Sequence, residues 1–171
     1  MSFSNRTTRA LARLERAPAF LRGWLRERAI GRTIPFVGTA GIRIEVMEAG
    51  RVRLRLPNRR AVQNHIGGVH AAATALLAET ASGLIVGLNV PDSAVPVIRS
   101  MQIDYLRRAR GALRAEALLD PAQVEAIRGS DSGDIEVPVT VSDEDGEAPV
   151  ACRMLWAWRP RRETPTGAAG R

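Results

Sequence analysis

The chain has 171 residues, 45% of them hydrophobic, with one cysteine, two histidines and a formal net charge of +7. That length points to one domain with a sizeable core, the hydrophobic content excludes wholesale disorder, and the lone Cys152 excludes a disulfide framework or a cysteine-rich zinc site. His65 and His70 are the only imidazoles, so neither a metal nor another cofactor is expected, and the first residues lack the continuous apolar core of a signal peptide, which leaves a cytoplasmic protein as the expectation.

The positive charge belongs to the ends. Residues 1–35 hold eight arginines against two glutamates and residues 153–171 hold five against one, while residues 36–152 hold twelve arginines against fifteen acids. Nucleic-acid recognition wants a basic stripe on the folded body, so no nucleic-acid partner is expected.

In chain order, residues 5–29 predict two helices broken at Pro18, since proline disfavours helix in the residue before it. The first carries Leu11 and Leu14 on one face, and the second, from about Pro18 to Arg28, carries Phe20, Leu21, Trp24 and Leu25. Contact with an anionic membrane surface is one reading of this arm. An amphipathic lid with its arginines outward is preferred, because surface-binding helices need a larger apolar face. Residues 36–57 predict a hairpin: Ile42, Ile44 and Val46, then Val52, Leu54 and Leu56, alternate with charged residues about a turn at Ala49-Gly50. Gly38 and Gly41 are expected to mark a bend at the start of its first strand.

A polar loop, residues 58–68, feeds an apolar stretch from Val69 to Val90 that predicts a helix of about six turns. The stretch is apolar on nearly every face, as in a helix buried all round. Its interruptions, among them Thr74, Glu79 and Ser82, argue against a membrane span. Glu79 is its only charged residue, and a carboxylate is rarely taken out of water without a compensating role.

Four further strands are expected, at residues 95–108, 113–119, 135–141 and 150–158, with a short helix opened by Asp120-Pro121 after the second of them. Cys152 falls on the apolar face of the last strand and reads as an inert core residue. The tail from Pro160 reads as disordered. Strand runs around a single long helix predict an α+β fold, an antiparallel sheet of about six strands curled around that helix. The domain boundaries expected are 1–35 for a helical extension, 36–159 for the sheet and helix, and 160–171 for the tail.

The order of elements, with Asn64, Gly67, His70-Ala71-Ala72 and Glu79 at their spacing, resembles the hotdog-fold thioesterases, in particular the phenylacetate-pathway and hydroxybenzoyl-CoA thioesterase-like branch. The resemblance covers roughly residues 36–158. It implies a hotdog fold and hydrolysis of an acyl-CoA or acyl-carrier-protein thioester to acid plus thiol. It also implies roles: Glu79 as nucleophile or general base, Asn64 orienting water or the carboxylate, the Ala71 N–H polarising the thioester carbonyl, and His70 assisting there. A helix N-terminus offers free N–H groups to a developing oxyanion, and a partly buried carboxylate is a stronger base.

His70 and Glu79 are nine residues apart on one helix, about 13–14 Å at ~1.5 Å per residue. They meet on one carbonyl only if a second copy of the helix runs antiparallel across a two-fold axis, which predicts a homodimer, with pairing into tetramers left open. Two departures from the family pattern stand out. Ala71 and Ala72 replace two glycines, and Gly83 replaces the hydroxyl residue four positions after the acid, with Ser82 one position off. They leave a second reading, a catalytically inactive hotdog protein that binds an acyl ligand; a hotdog dehydratase fits the acid-after-His spacing less well. Asn64 and His70 have an alternative as helix caps, and Glu79 an alternative as a buried acid paired with Arg99. Arg59, Arg60, Arg107, Arg108 and Arg110 are candidates for the phosphates of CoA, and Met101 and Ile103 for the acyl pocket.

Overall fold

Around one long helix, the computed structural model describes residues 3–161. The helices are α1 Arg6–Leu14, α2 Ala19–Thr33, α3 Pro35–Ala40, α4 Ala71–Asn89 and α5 Pro121–Arg128. The strands are β1 Arg43–Glu48, β2 Arg51–Leu56, β3 Ala94–Tyr105, β4 Leu113–Leu118, β5 Gly133–Val137, β6 Val139–Ser142 and β7 Val150–Pro160. All pairings are antiparallel, in the orders β1-β2-β4-β6 and β3-β7-β5. The stretch 135–141, expected as one strand, is two. Pro138 lacks the N–H that the ladder needs, and at that residue the chain passes from β5, paired with β7, to β6, paired with β4. The result is α+β, two antiparallel sheets packed on α4 with no closed barrel, and the described residues hold seven strand segments where about six were expected.

Period-two patterning places the core. Val52, Leu54 and Leu56 on β2 and Leu113, Ala115 and Ala117 on β4 are fully buried against Leu77, Ala78, Ala81 and Ile85 of α4. Each large side chain so buried contributes about 1.5–3 kcal/mol. By length and composition α4 is apolar enough to cross a membrane, but here it is the core helix, packed on β2, β3, β4, β6 and β7. It is not buried all round: Ala72, Ala75, Leu76, Glu79, Gly83 and Gly87 form a partly open stripe along one side.

The end of α4 is a junction. Asn89, fully buried, donates to the Ala49 carbonyl at 2.7 Å and accepts from Arg128 at 3.1 Å, tying the β1–β2 turn and α5 to the helix. Asn5 caps α1 through the Thr8 amide at 2.9 Å and donates to the Gly87 and Val90 carbonyls at 3.0 and 2.7 Å, which docks α1 on the C-terminus of α4. Arg9 adds an ion pair to Asp92 at 2.6 Å.

Four expectations are corrected. Helix α2 runs five residues past Arg28, and its Phe20 and Trp24 face solvent, 83% and 57% exposed, while Arg26 turns inward to Glu15. Residues 36–40, expected at the start of the hairpin, belong with Pro35 to α3; its Gly38 packs on Gly31 of α2, where an added Cβ would lie 3.0 Å from the Gly31 Cα. Gly41 does not bend a strand but closes α3 in the left-handed region, φ 69°. Pro160 belongs to β7 and the Arg161 amide donates to Ser93 O at 2.6 Å; the rest of the tail expected to be disordered, 162–171, lies outside the described residues.

Candidate active site

Glu79 sits midway along α4 on its open stripe, half-buried, and its carboxylate has no hydrogen-bond or ion-pair partner among the described residues. Burial raises its carboxyl above the ordinary glutamate range. The expected alternative partner, Arg99, pairs with Asp134 at 2.9 Å instead. A carboxylate with nothing to compensate its partial desolvation is what a general base or nucleophile requires.

The N-terminus of α4 is held from several sides. His70 is the N-cap, its Nδ1 accepting from the Ala72 amide at 3.0 Å, which leaves Nε2 to carry the proton at the exposed end of the ring. The His70 amide donates to the Val62 carbonyl at 2.8 Å. Asn64 does not cap the helix. Its Oδ1 accepts from the Ile66 and Gly68 amides, each at 3.1 Å, shaping the loop in which Gly67 takes φ 76°. The Ala71 amide, belonging to an exposed residue at the first helical position, donates to no group among the described residues, so the helix offers a free N–H there.

Tyr105, which the sequence reading placed only in a strand, donates its hydroxyl to the Ala71 carbonyl at 2.7 Å and so pins the first turn to the end of β3. The sequence held no local signal for it, because β3 and α4 meet only in the tertiary fold.

Asn64, Ala71 and Tyr105 line one cavity of about 210 Å³ together with Arg107 and Arg108. His70 faces a different groove of about 190 Å³, with Phe36, Val62, Ala72 and Leu76. Glu79 lines neither, so within one chain the four candidate residues are not assembled. Met101 and Ile103 line neither of these cavities: Met101 is 46% exposed on β3, whose outer edge pairs with no strand among the described residues, beside exposed Val97 and Ile98.

The arginine candidates separate. Arg59 is engaged with the backbone, donating to Thr39 O at 2.6 Å and Ala40 O at 3.3 Å, and clamps the end of α3. Arg107 pairs at 2.9 Å with Asp143, whose side chain is fully buried. Arg108 donates to Ile66 O at 2.9 Å, and Arg110 reaches Asp145 at 3.3 Å. Arg107, Arg108 and Arg110 share a cleft with Gly67 and Gly68, and Arg60 stands exposed in a short 3-10 turn at 60–62.

The departure at Gly83 has structural content. An added Cβ at Gly83 would lie 2.7 Å from Cη2 of Trp156, so the indole occupies the space of a side chain there. The Ser82 hydroxyl accepts from the same indole N–H and donates within its own helix, so it anchors the ring rather than replacing the missing hydroxyl. Burial, with Asp104 adding, pushes the Cys152 thiol up to about 11, which keeps it protonated and unreactive near neutral pH.

Residues 22–158 match the family model described as a domain of unknown function, DUF4442. A Halobacterium salinarum protein provisionally named an esterase is 32% identical over 108 residues, 56% of this chain and 72% of its own length. Among solved structures, a Pseudomonas aeruginosa protein called a probable thioesterase superposes with TM-score 0.72 at 29% identity, over 80% of this chain and 95% of its own. A thioesterase family protein from Silicibacter pomeroyi gives TM-score 0.64 at 20% identity over 79% and 96%, and a Haemophilus influenzae thioesterase gives 0.60 at 17% over 76% and 86%. The last two likenesses establish the fold alone, and it is the hotdog fold.

Proposed function

From the fact that this chain belongs to the DUF4442 family and carries the hotdog fold, we propose that it is a hydrolase acting on thioesters. The observation that carries the reading is Glu79, a lone, partly desolvated carboxylate without a partner, on the same helix whose first turn presents a free Ala71 N–H. The esterase and thioesterase names of the relatives support the reaction class.

In this reading the Ala71 amide, with the helix dipole behind it, takes the oxyanion that develops on the thioester carbonyl. Nε2–H of His70 is a second donor near the same helix end. Glu79 removes a proton from the attacking water as its oxygen bonds to the carbonyl carbon. Collapse of the tetrahedral intermediate breaks the C–S bond, and the thiolate takes up the proton, so that acid and thiol leave. Attack by Glu79 itself, through an anhydride that water then opens, uses the same geometry.

Because Ala71 and Glu79 lie about 12 Å apart along the helix at ~1.5 Å per residue, the site is composite in this proposal. A second chain supplies Glu79 across a two-fold axis, and the open stripe of α4 and the unpaired edge of β3 are the faces it covers. Arg107, Arg108 and Arg110 line the cleft beside Gly67 and Gly68 and, with exposed Arg60, are the candidates for the phosphates of an acyl-CoA or the acidic surface of an acyl-carrier protein. One observation favours a second reading, an acyl-binding protein without turnover: Trp156 fills the place of the hydroxyl residue at Gly83.

Thiol release from short, long and aromatic acyl-CoAs by the wild type and by Glu79→Gln separates the two readings. Turnover lost in the variant supports the hydrolase. Binding without turnover in both supports the acyl binder. Co-expressing Glu79→Gln with an Ala71→Pro chain tests the composite site, since only a mixed dimer rebuilds one intact centre.

A further inference from the structure

A concavity of about 690 Å³ lies between α2, α3 and the root of the β1–β2 hairpin, within the range of about 300–1,000 Å³ typical of small-molecule sites. Trp24, Glu27, Arg28, Arg32, Arg43 and Arg59 line it, four guanidinium groups against one carboxylate. Many arginines elsewhere sit on a carboxylate, among them Arg9, Arg51, Arg99, Arg107, Arg114 and Arg153. Among the described residues Arg28, Arg32 and Arg43 have no such partner, and the one polar or aromatic contact any of them makes is Arg28 against Trp24. Like charges gathered in a concave wall focus a positive potential and attract an anion.

The groove is built rather than incidental. Gly31 and Gly38 bring α2 and α3 into backbone contact at its floor. Arg59 is locked to the Thr39 and Ala40 carbonyls over Gly41, whose left-handed backbone leaves room for the guanidinium where a Cβ would lie 2.4 Å from Nη2. Trp24 stands 57% exposed at the rim with the Arg28 guanidinium 5.6 Å from its ring centroid. Planar guanidinium forks match phosphate oxygens in pairs, and an exposed indole offers a stacking face to an aromatic base.

We infer that this groove binds a phosphorylated nucleotide-class anion, its phosphates on Arg28, Arg32 and Arg43 and its base against Trp24. The site is distinct from the one proposed for hydrolysis. Gly38 and Gly41 line this groove, while Phe36, Thr39 and Ala40 line the groove of His70, so α3 stands between the two. Ligand binding here is read without turnover, and it stands whether or not the chain is a hydrolase.

The test is titration of the full chain with ADP, pyrophosphate and adenosine, followed by calorimetry and tryptophan fluorescence. Trp156 and Trp158 are 5% and 4% exposed, so Trp24 is the solvent-responsive indole. ADP is expected to quench it and to bind more tightly than pyrophosphate or adenosine, with affinity falling as salt rises. The double variant Arg32→Ala/Arg43→Ala removes two unpaired exposed side chains, so its melting temperature should not move. It should weaken ADP roughly tenfold or more through the lost charge-assisted contacts. Trp24→Phe should abolish the quench and keep the calorimetric signal for pyrophosphate. Absence of heat and quench with millimolar ADP, or unchanged ADP affinity in the double variant, overturns the inference. Binding to anionic phosphatidylglycerol vesicles without any ADP binding also overturns it, and assigns the arginines and exposed Phe20 to a lipid surface.

Discussion

The indole N–H of Trp156 donates to the Ser82 hydroxyl at 2.9 Å, and the far edge of the same ring occupies the space above Gly83. One β7 residue thereby sets the identity of two successive helix positions. Restoring a hydroxyl by Gly83→Ser places Cβ within 2.8 Å of two ring carbons. Such overpacking costs about 1–3 kcal/mol. The expected outcome is a lower denaturation midpoint with no gain in hydrolysis, and partial recovery of stability when Trp156→Leu is added. Gly83→Ser with unchanged stability would show that the ring yields.

Glu79 should limit stability while serving the reaction. Burial raises its carboxyl, so the folded chain keeps that proton to higher pH than the unfolded chain does. Stability therefore falls as pH rises from the unfolded value, about 4.3, through the folded one, and stays lower above it. Glu79→Gln removes that cost. Its melting temperature should exceed the wild type's by roughly 2–4 °C per kcal/mol recovered at pH 8, and match it at pH 4, while thiol release collapses. A variant less stable than wild type at pH 8 would make Glu79 a structural residue.

Tyr105 holds the first turn of α4 through the Ala71 carbonyl. Burial, with Cys152 adding, keeps its phenol above the ordinary range, so it remains a donor across the neutral pH range. Tyr105→Phe should cost about 0.5–1.5 kcal/mol of stability, the worth of one hydrogen bond. It should lower kcat several-fold with little change in KM, because the free Ala71 amide loses its alignment rather than its ligand contacts. An unchanged kcat would separate the tyrosine from the helix end.

Asp143 anchors the turn beside the arginine cleft. Burial pushes its carboxyl up, but the Arg110 and Glu147 amides and the Arg107 guanidinium outweigh that and hold it below the ordinary aspartate range. Its stabilisation is thus complete above the unfolded value near 3.9 and is lost as pH falls through the lower folded value. Asp143→Asn should destabilise the chain by roughly 2–4 kcal/mol at neutral pH. The gap to wild type should narrow in urea titrations as pH falls through the folded value, since both side chains are neutral below it.

What was legible in the sequence is what local patterning encodes. Alternation at Val52, Leu54 and Leu56 placed β2, the apolar run placed α4 within two residues at its start, and the solitary charge marked Glu79. Contacts between distant segments were not legible. Alternation runs through Ile135, Val137, Val139 and Val141 undisturbed, because Pro138 lies on the other face, so the change of partner strand left no trace in the pattern. Helix α3 is too short to show a 3.6-residue period, and its Gly31–Gly38 contact looks like turn chemistry until α2 is in place. In the site, the acid and the helix end could be named from spacing, while Tyr105, Trp156 and the commitment of Arg59 depend on which surfaces meet.

The break at Pro138 also governs alignment. Its two flanking segments are laced to different neighbours, β5 to β7 and β6 to β4, yet they are joined by a single residue. Neither segment can slide along its neighbour without dragging the other, so a register slip tolerable in one ladder would have to be matched in both at once. The strand works as a ruler, fixing how far β7, with Trp156, stands along the molecule from β4, which backs the long helix. The fit of the indole over Gly83 is thus calibrated by a residue that belongs to neither ladder.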